Sequence, residues 1–163
     1  MTGQSGKTLA LGEEISRTLA GTDLSDPAQR TAAALFVVLK QQLDLLGYRP
    51  GSVPCDARFA SDRCRGALMG TAIAIVRGHR EAPEREHYID AIVAAFTVVF
   101  GEKVGRQAAL QTIENAAERN EAVISASDWA GTDTIETWSD ASPSSPTAYY
   151  LAATGTAERA ISQ

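Results

Sequence analysis

A chain of 163 residues with 44% hydrophobic and 21% charged side chains is long enough to bury the core of one domain and too apolar to be disordered throughout. Its longest apolar runs, residues 67–76 and 91–100, fall far short of the roughly 20 residues that a membrane-spanning helix requires, so no membrane partner is expected. The net charge of −5 is unevenly divided: residues 1–85 carry 11 Lys and Arg against 9 Asp and Glu, and residues 86–163 carry 4 against 11, an acidic balance that argues against a nucleic-acid partner.

The chain opens with Gly3-Gln4-Ser5-Gly6-Lys7-Thr8, which imitates the end of a phosphate-binding loop. The first glycine of that motif would fall at Met1, and no buried strand precedes it to aim backbone N–H groups at a phosphate. Residues 1–6 therefore read as a frayed terminus, with Ser5 or Thr8 capping the helix that follows. No basic start leads into an apolar run and a cleavage site, so the expected location is the cytoplasm.

Leu11, Ile15 and Leu19 recur every four residues and predict an amphipathic helix over residues 8–20, stopped by Gly21. Ser25-Asp26-Pro27 supplies a cap and a proline for the next helix, whose apolar face runs through Ala32, Leu35, Phe36, Leu39, Leu43 and Leu46 to the stop at Gly47 and Pro50. Residues 47–54 are loop by their glycine and proline content. A third helix begins near Ser61 and carries Gly66, Gly70, Ala74 and Gly78 at steps of four. Each glycine lowers helix propensity by about 1 kcal/mol relative to alanine, so another backbone is expected to pack into the shallow groove they leave. That backbone belongs either to the same chain or, through Gly66, Gly70 and Ala74, to a homodimer.

Ala82-Pro83 breaks the chain and places proline at the first position of a fourth helix, with Glu84 in its first turn. From Tyr88 to Phe100 this helix is apolar on nearly every side, which predicts a place in the middle of the bundle. A fifth helix is expected from Glu102 to about Val123. Beyond it, 13 of the last 40 residues are Ser or Thr and apolar periodicity fades, which predicts a loosely structured acidic tail over residues 124–163, with room for a short helix around Tyr149 and Tyr150.

Chemistry has few footholds. Glu84 and His87 form a Glu-x-x-His unit, the spacing that puts a carboxylate and an imidazole on one helix face in di-iron bundles, but the second unit is missing because Val76 stands three before His79. No metal and no cofactor are expected. Cys55 and Cys64 are too far apart in sequence for a zinc knuckle and read as structural thiols. The arginines Arg58, Arg63, Arg65, Arg77, Arg80 and Arg85 form the one basic region, expected to pair with the acidic half. Trp129 and Trp138, set among carboxylates, are either docking residues for a partner or folded back onto the bundle.

The expectation is an all-α protein: a single bundle of about five helices over residues 7–123 with an acidic C-terminal extension, working as a non-enzymatic module that binds another protein as a regulator, adaptor or chaperone through Trp129 and Trp138. The alternative is a small helical enzyme or ligand- or metal-binding protein with a polar site at Glu84, His87 and Asp90.

Overall fold

The computed structural model describes residues 25–138 and 147–155. The phosphate-loop-like segment and the helix expected over residues 8–20 lie outside the described residues. Six helices make up the described chain, with no strand: α1 (Pro27–Leu46), α2 (Asp62–His79), α3 (Arg85–Phe100), α4 (Glu102–Ala117), α5 (Glu121–Thr137) and α6 (Ala148–Ala153). Among the described residues no helix is long and apolar enough to cross a membrane.

The helix ends follow from local chemistry. Asp26 caps α1 by accepting the Ala28 N–H at 3.0 Å, and Gly47, left-handed at φ 85°, closes it. Ser61 caps α2 through the Cys64 N–H at 3.2 Å. Helix α3 starts later than its proline predicts: Glu84 is the cap and Pro83 stands outside it. The fifth predicted helix is two. Helix α4 ends at Ala117, Arg119 turns left-handed at φ 67°, and Asn120 caps α5 by accepting the Val123 N–H at 3.2 Å.

The predicted tail is therefore helical as far as Thr137 and again from Ala148 to Ala153. Helix α5 packs more extensively on α2 than any other pair of helices pack on each other. Gly66 and Gly70 supply the reason, since a β-carbon on Gly66 would fall 2.5 Å from the Val123 carbonyl oxygen and one on Gly70 2.1 Å from that of Ser127. The groove is filled by the chain's own α5, so a homodimer seam through Gly66, Gly70 and Ala74 would have to displace that helix.

The central element is α2, which touches all five of the other described helices; α3, apolar on nearly every side, instead packs on α1, α2 and α4. Small side chains explain the exchange of places. Gly66, Ala67, Gly70, Thr71, Ala72 and Ala74 are buried and let neighbours approach closely, whereas a helix of large apolar residues fills the space around such an axis. Leu35, Leu39, Leu43, Leu68, Ile75, Phe96 and Val99 form the surrounding core.

Polar side chains fasten the periphery. In residues 47–61, the Gly51 and Val53 N–H groups donate to the Val98 and Val99 carbonyls at 2.6 and 3.1 Å, satisfying oxygens in the last turn of α3. Tyr149, buried in α6, donates its hydroxyl to the Phe59 carbonyl at 2.7 Å, and burial pushes its phenol far above the usual range, so it stays protonated as a donor. The Gln42 side chain accepts the Tyr150 N–H at 3.0 Å, a second tie that holds α6 on α1. Arg65 joins three helix ends: it donates to the Ala60 carbonyl, to Thr112 Oγ1 at 3.1 Å and to Asn115 Oδ1 at 2.7 Å, and it pairs with Asp62, which also accepts from Asn120.

Candidate functional site

The polar residues that the core does not use gather where α2 ends and α3 begins. His79 closes α2, Arg80 caps it, and five residues later Arg85 opens α3, so both histidines of the chain lie at this end of the bundle. Thr31 Oγ1 and His79 Nδ1 are 3.0 Å apart, linking the first turns of α1 to the last turn of α2. Two hollows open on either side of that link.

The smaller, about 150 Å³, is lined by Ala28, Thr31, Ala32, Val76, Arg80, His87, Asp90, Ala91 and Ala94. It contains two of the three residues of the predicted polar site. Glu84 and His87 are brought together, but as a reciprocal cap: the Glu84 side chain accepts from the backbone of the third helical residue, and His87 Nδ1 accepts the Glu84 N–H at 2.9 Å. Glu84 and Asp90 are exposed and His87 is half-buried. Among the described residues no three His, Cys, Asp or Glu side chains converge as metal donors.

The larger hollow, about 440 Å³, lies between the ends of α2 and α5 and is lined by Ala74, Arg77, Gly78, His79, Thr134, Ile135 and Trp138. Only this one reaches the range of roughly 300–1,000 Å³ typical of sites for mid-sized ligands. The Trp138 ring meets His79 edge to face at a centroid distance of 6.0 Å and packs on the main core. Its Nε1 is shielded from solvent without a hydrogen-bond partner among the described residues. Ile135 stands 69% exposed on the same rim. Arg77 is exposed there too, with its guanidinium 5.8 Å from the Tyr88 ring centre.

The two tryptophans thus part company. Trp129 is half-buried against the small cluster of Ala67, Ala130 and Ala148, where it fastens α5 and α6 to α2. Trp138 is half-buried as well, but it borders a hollow. Sequence reasoning missed Ile135, Arg77 and His79 as its companions, because Ile135 carried no weight without a helix to set it one turn before Trp138.

The arginines do not form a single basic face. Arg58 and Arg65 lie at the start of α2, Arg58 stacked 4.7 Å from the Phe59 ring centre, whereas Arg77 and Arg80 lie at its other end. At about 1.5 Å per residue, the helix between Arg65 and Arg80 separates the two groups by about 22 Å. Arg65 pairs with Asp62 of its own helix rather than with the acidic half of the chain.

Compared with family models, curated proteins and solved structures, the chain matches none.

Proposed function

We propose that the protein is a non-enzymatic interaction module of the regulator, adaptor or chaperone type, and that it holds a segment of another protein at the hollow between the ends of α2 and α5. The observation that supports this reading is the pairing of Ile135, 69% exposed, with the half-buried Trp138 on the rim of that hollow. A single exposed aliphatic side chain means little on a protein surface, but tryptophan and arginine beside a hollow are the residue types that dominate binding energy at interfaces. A segment that seats an apolar side chain between Ile135 and Trp138 and offers a carboxylate to Arg77 fits this chemistry. Catalysis is less well supported, because the Glu84 side chain and His87 Nδ1 are engaged with each other's backbone in the cap of α3.

The test uses the full chain as bait in cells that express it, followed by titration of the captured protein, purified, against wild type, Ile135→Asp and Arg77→Glu. Both substitutions fall at exposed positions, so helix content is expected to stay unchanged by circular dichroism. Affinity is expected to fall at least about tenfold, or about 1.4 kcal/mol, in each. Equal affinity for all three proteins would remove this hollow from the binding surface.

A further inference from the structure

The smaller hollow holds two opposite charges that are not paired. Arg80 is half-buried and Asp90 exposed on its lining, and among the described residues neither side chain makes an ion pair or hydrogen bond, with the other or with anything else. The Arg80 guanidinium carries five N–H donors, and none of its nitrogens is buried without a partner, so they stay open to an acceptor that enters the hollow. Here the residue placed to satisfy it stands on the same hollow without closing on it.

The remaining lining narrows the chemistry. Since His87 Nδ1 accepts the Glu84 N–H, the neutral imidazole carries its proton on Nε2, which makes the ring a second donor at the hollow. Thr31 adds a hydroxyl, shared with His79. Donors therefore outnumber the single carboxylate of Asp90. Ala91 and Ala94 have no bulk to fill the floor and present apolar surface for a short carbon skeleton. The volume, about 150 Å³, suits a molecule of about six non-hydrogen atoms, since a cavity of about this volume accommodates benzene.

We infer that this hollow is a binding site for a small zwitterion, an amino acid or short amino-carboxylate whose carboxylate meets Arg80 and His87 and whose ammonium meets Asp90. The carboxylate gains the planar, two-pronged contact that guanidinium groups make, and the ammonium supplies the charge that Asp90 lacks. The site is separate from the hollow at Trp138 and does not depend on the docking reading.

Methyl NMR of the full chain follows the Ala91 and Ala94 signals during titration with alanine, β-alanine and γ-aminobutyrate, with propionate and propylamine as single-charge controls. At least one zwitterion is expected to shift these signals saturably, at a concentration at least about tenfold below either control. Arg80→Gln and Asp90→Asn are each expected to weaken that binding at least about tenfold, and Arg80→Lys, which keeps the charge, less; spectral dispersion confirms that every variant is folded. The inference is overturned if none of the three zwitterions saturates the signals. It is equally overturned if propionate binds as well as the zwitterions, or if Asp90→Asn binds as tightly as wild type.

Discussion

Gly70 lies directly against the backbone of Ser127, so closely that a β-carbon on Gly70 would fall 2.1 Å from the Ser127 carbonyl oxygen and 2.8 Å from its α-carbon. A real β-carbon essentially never comes within 3.0 Å of such an atom, and the obstacle is main chain that no rotamer change can move. The seam between α2 and α5 is therefore set by the absence of one carbon atom.

Gly70→Ala is accordingly expected to destabilise the fold by about 1–3 kcal/mol through overpacking, even though alanine is the better helix former. Gly78 provides the control within the same helix. A β-carbon there meets nothing within 4 Å, so Gly78→Ala is expected to be neutral or to stabilise by up to about 1 kcal/mol. Urea unfolding of the two variants checks both signs, and a neutral Gly70→Ala would mean that α5 does not pack on α2 at this distance.

This seam also shows how far the sequence could be read. The stripe Gly66, Gly70, Ala74 and Gly78 announced a close neighbour, but the neighbour was hidden in a segment that reads as a Ser/Thr-rich tail. The concealment has a physical cause: apart from Val123, the buried residues of α5 are Ala126, Ser127, Ala130 and Thr134, small for the same reason that the stripe facing them is small. Two small-residue faces that fit each other bury little area per residue, so neither displays the large apolar periodicity by which α1 was legible. The break at Arg119 was likewise invisible, because a non-glycine residue in the left-handed region has no composition signal. Of the candidate sites, His87, Asp90 and Trp138 were named from the sequence, but Arg80 gained meaning only when α1, α2 and α3 met around one hollow, and Ile135 only when α2 and α5 ended side by side.

The two cysteines differ in what surrounds them. Cys64 is fully buried and donates its thiol to the Arg58 carbonyl at 3.3 Å, and burial pushes its pKa up against the opposing influence of Ser61 and Arg65. Cys55 is exposed; partial shielding of its sulfur raises it as well, but solvent still reaches it. Because the thiolate is the reactive form, an aromatic disulfide reagent at neutral pH is expected to consume one equivalent in the folded protein and a second only in denaturant. Cys55→Ser should abolish the first. Two equivalents in the native state would show that the start of α2 opens far more readily than its packing implies.

Asp133 ties α5 to α6, accepting the Thr147 N–H on its Oδ2 at 3.1 Å and so capping a helix that has no side-chain cap of its own. Its acidity reflects a contest. Burial, the larger influence, pushes the carboxyl above the usual aspartate range, the N–H groups of Thr147 and Ala148 pull it down, and Glu136 adds a smaller push upward. The folded state consequently binds this proton more tightly than the unfolded chain does. The stability Asp133 contributes is therefore full below the ordinary aspartate range and is lost as pH rises through its raised value. Asp133→Asn keeps an oxygen for the Thr147 N–H while removing the charge. It is expected to be at least as stable as wild type at pH 7, with the difference disappearing toward about pH 3, where both side chains are neutral. Asp133→Ala separates the cap from the charge: without an acceptor for Thr147 it is expected to be about 1 kcal/mol less stable than Asp133→Asn at either pH. Urea midpoints at the two pH values decide the matter, and an Asn variant less stable than wild type at pH 7 but equal at about pH 3 would mean that attraction to the N-terminus of α6, rather than burial, governs this carboxylate.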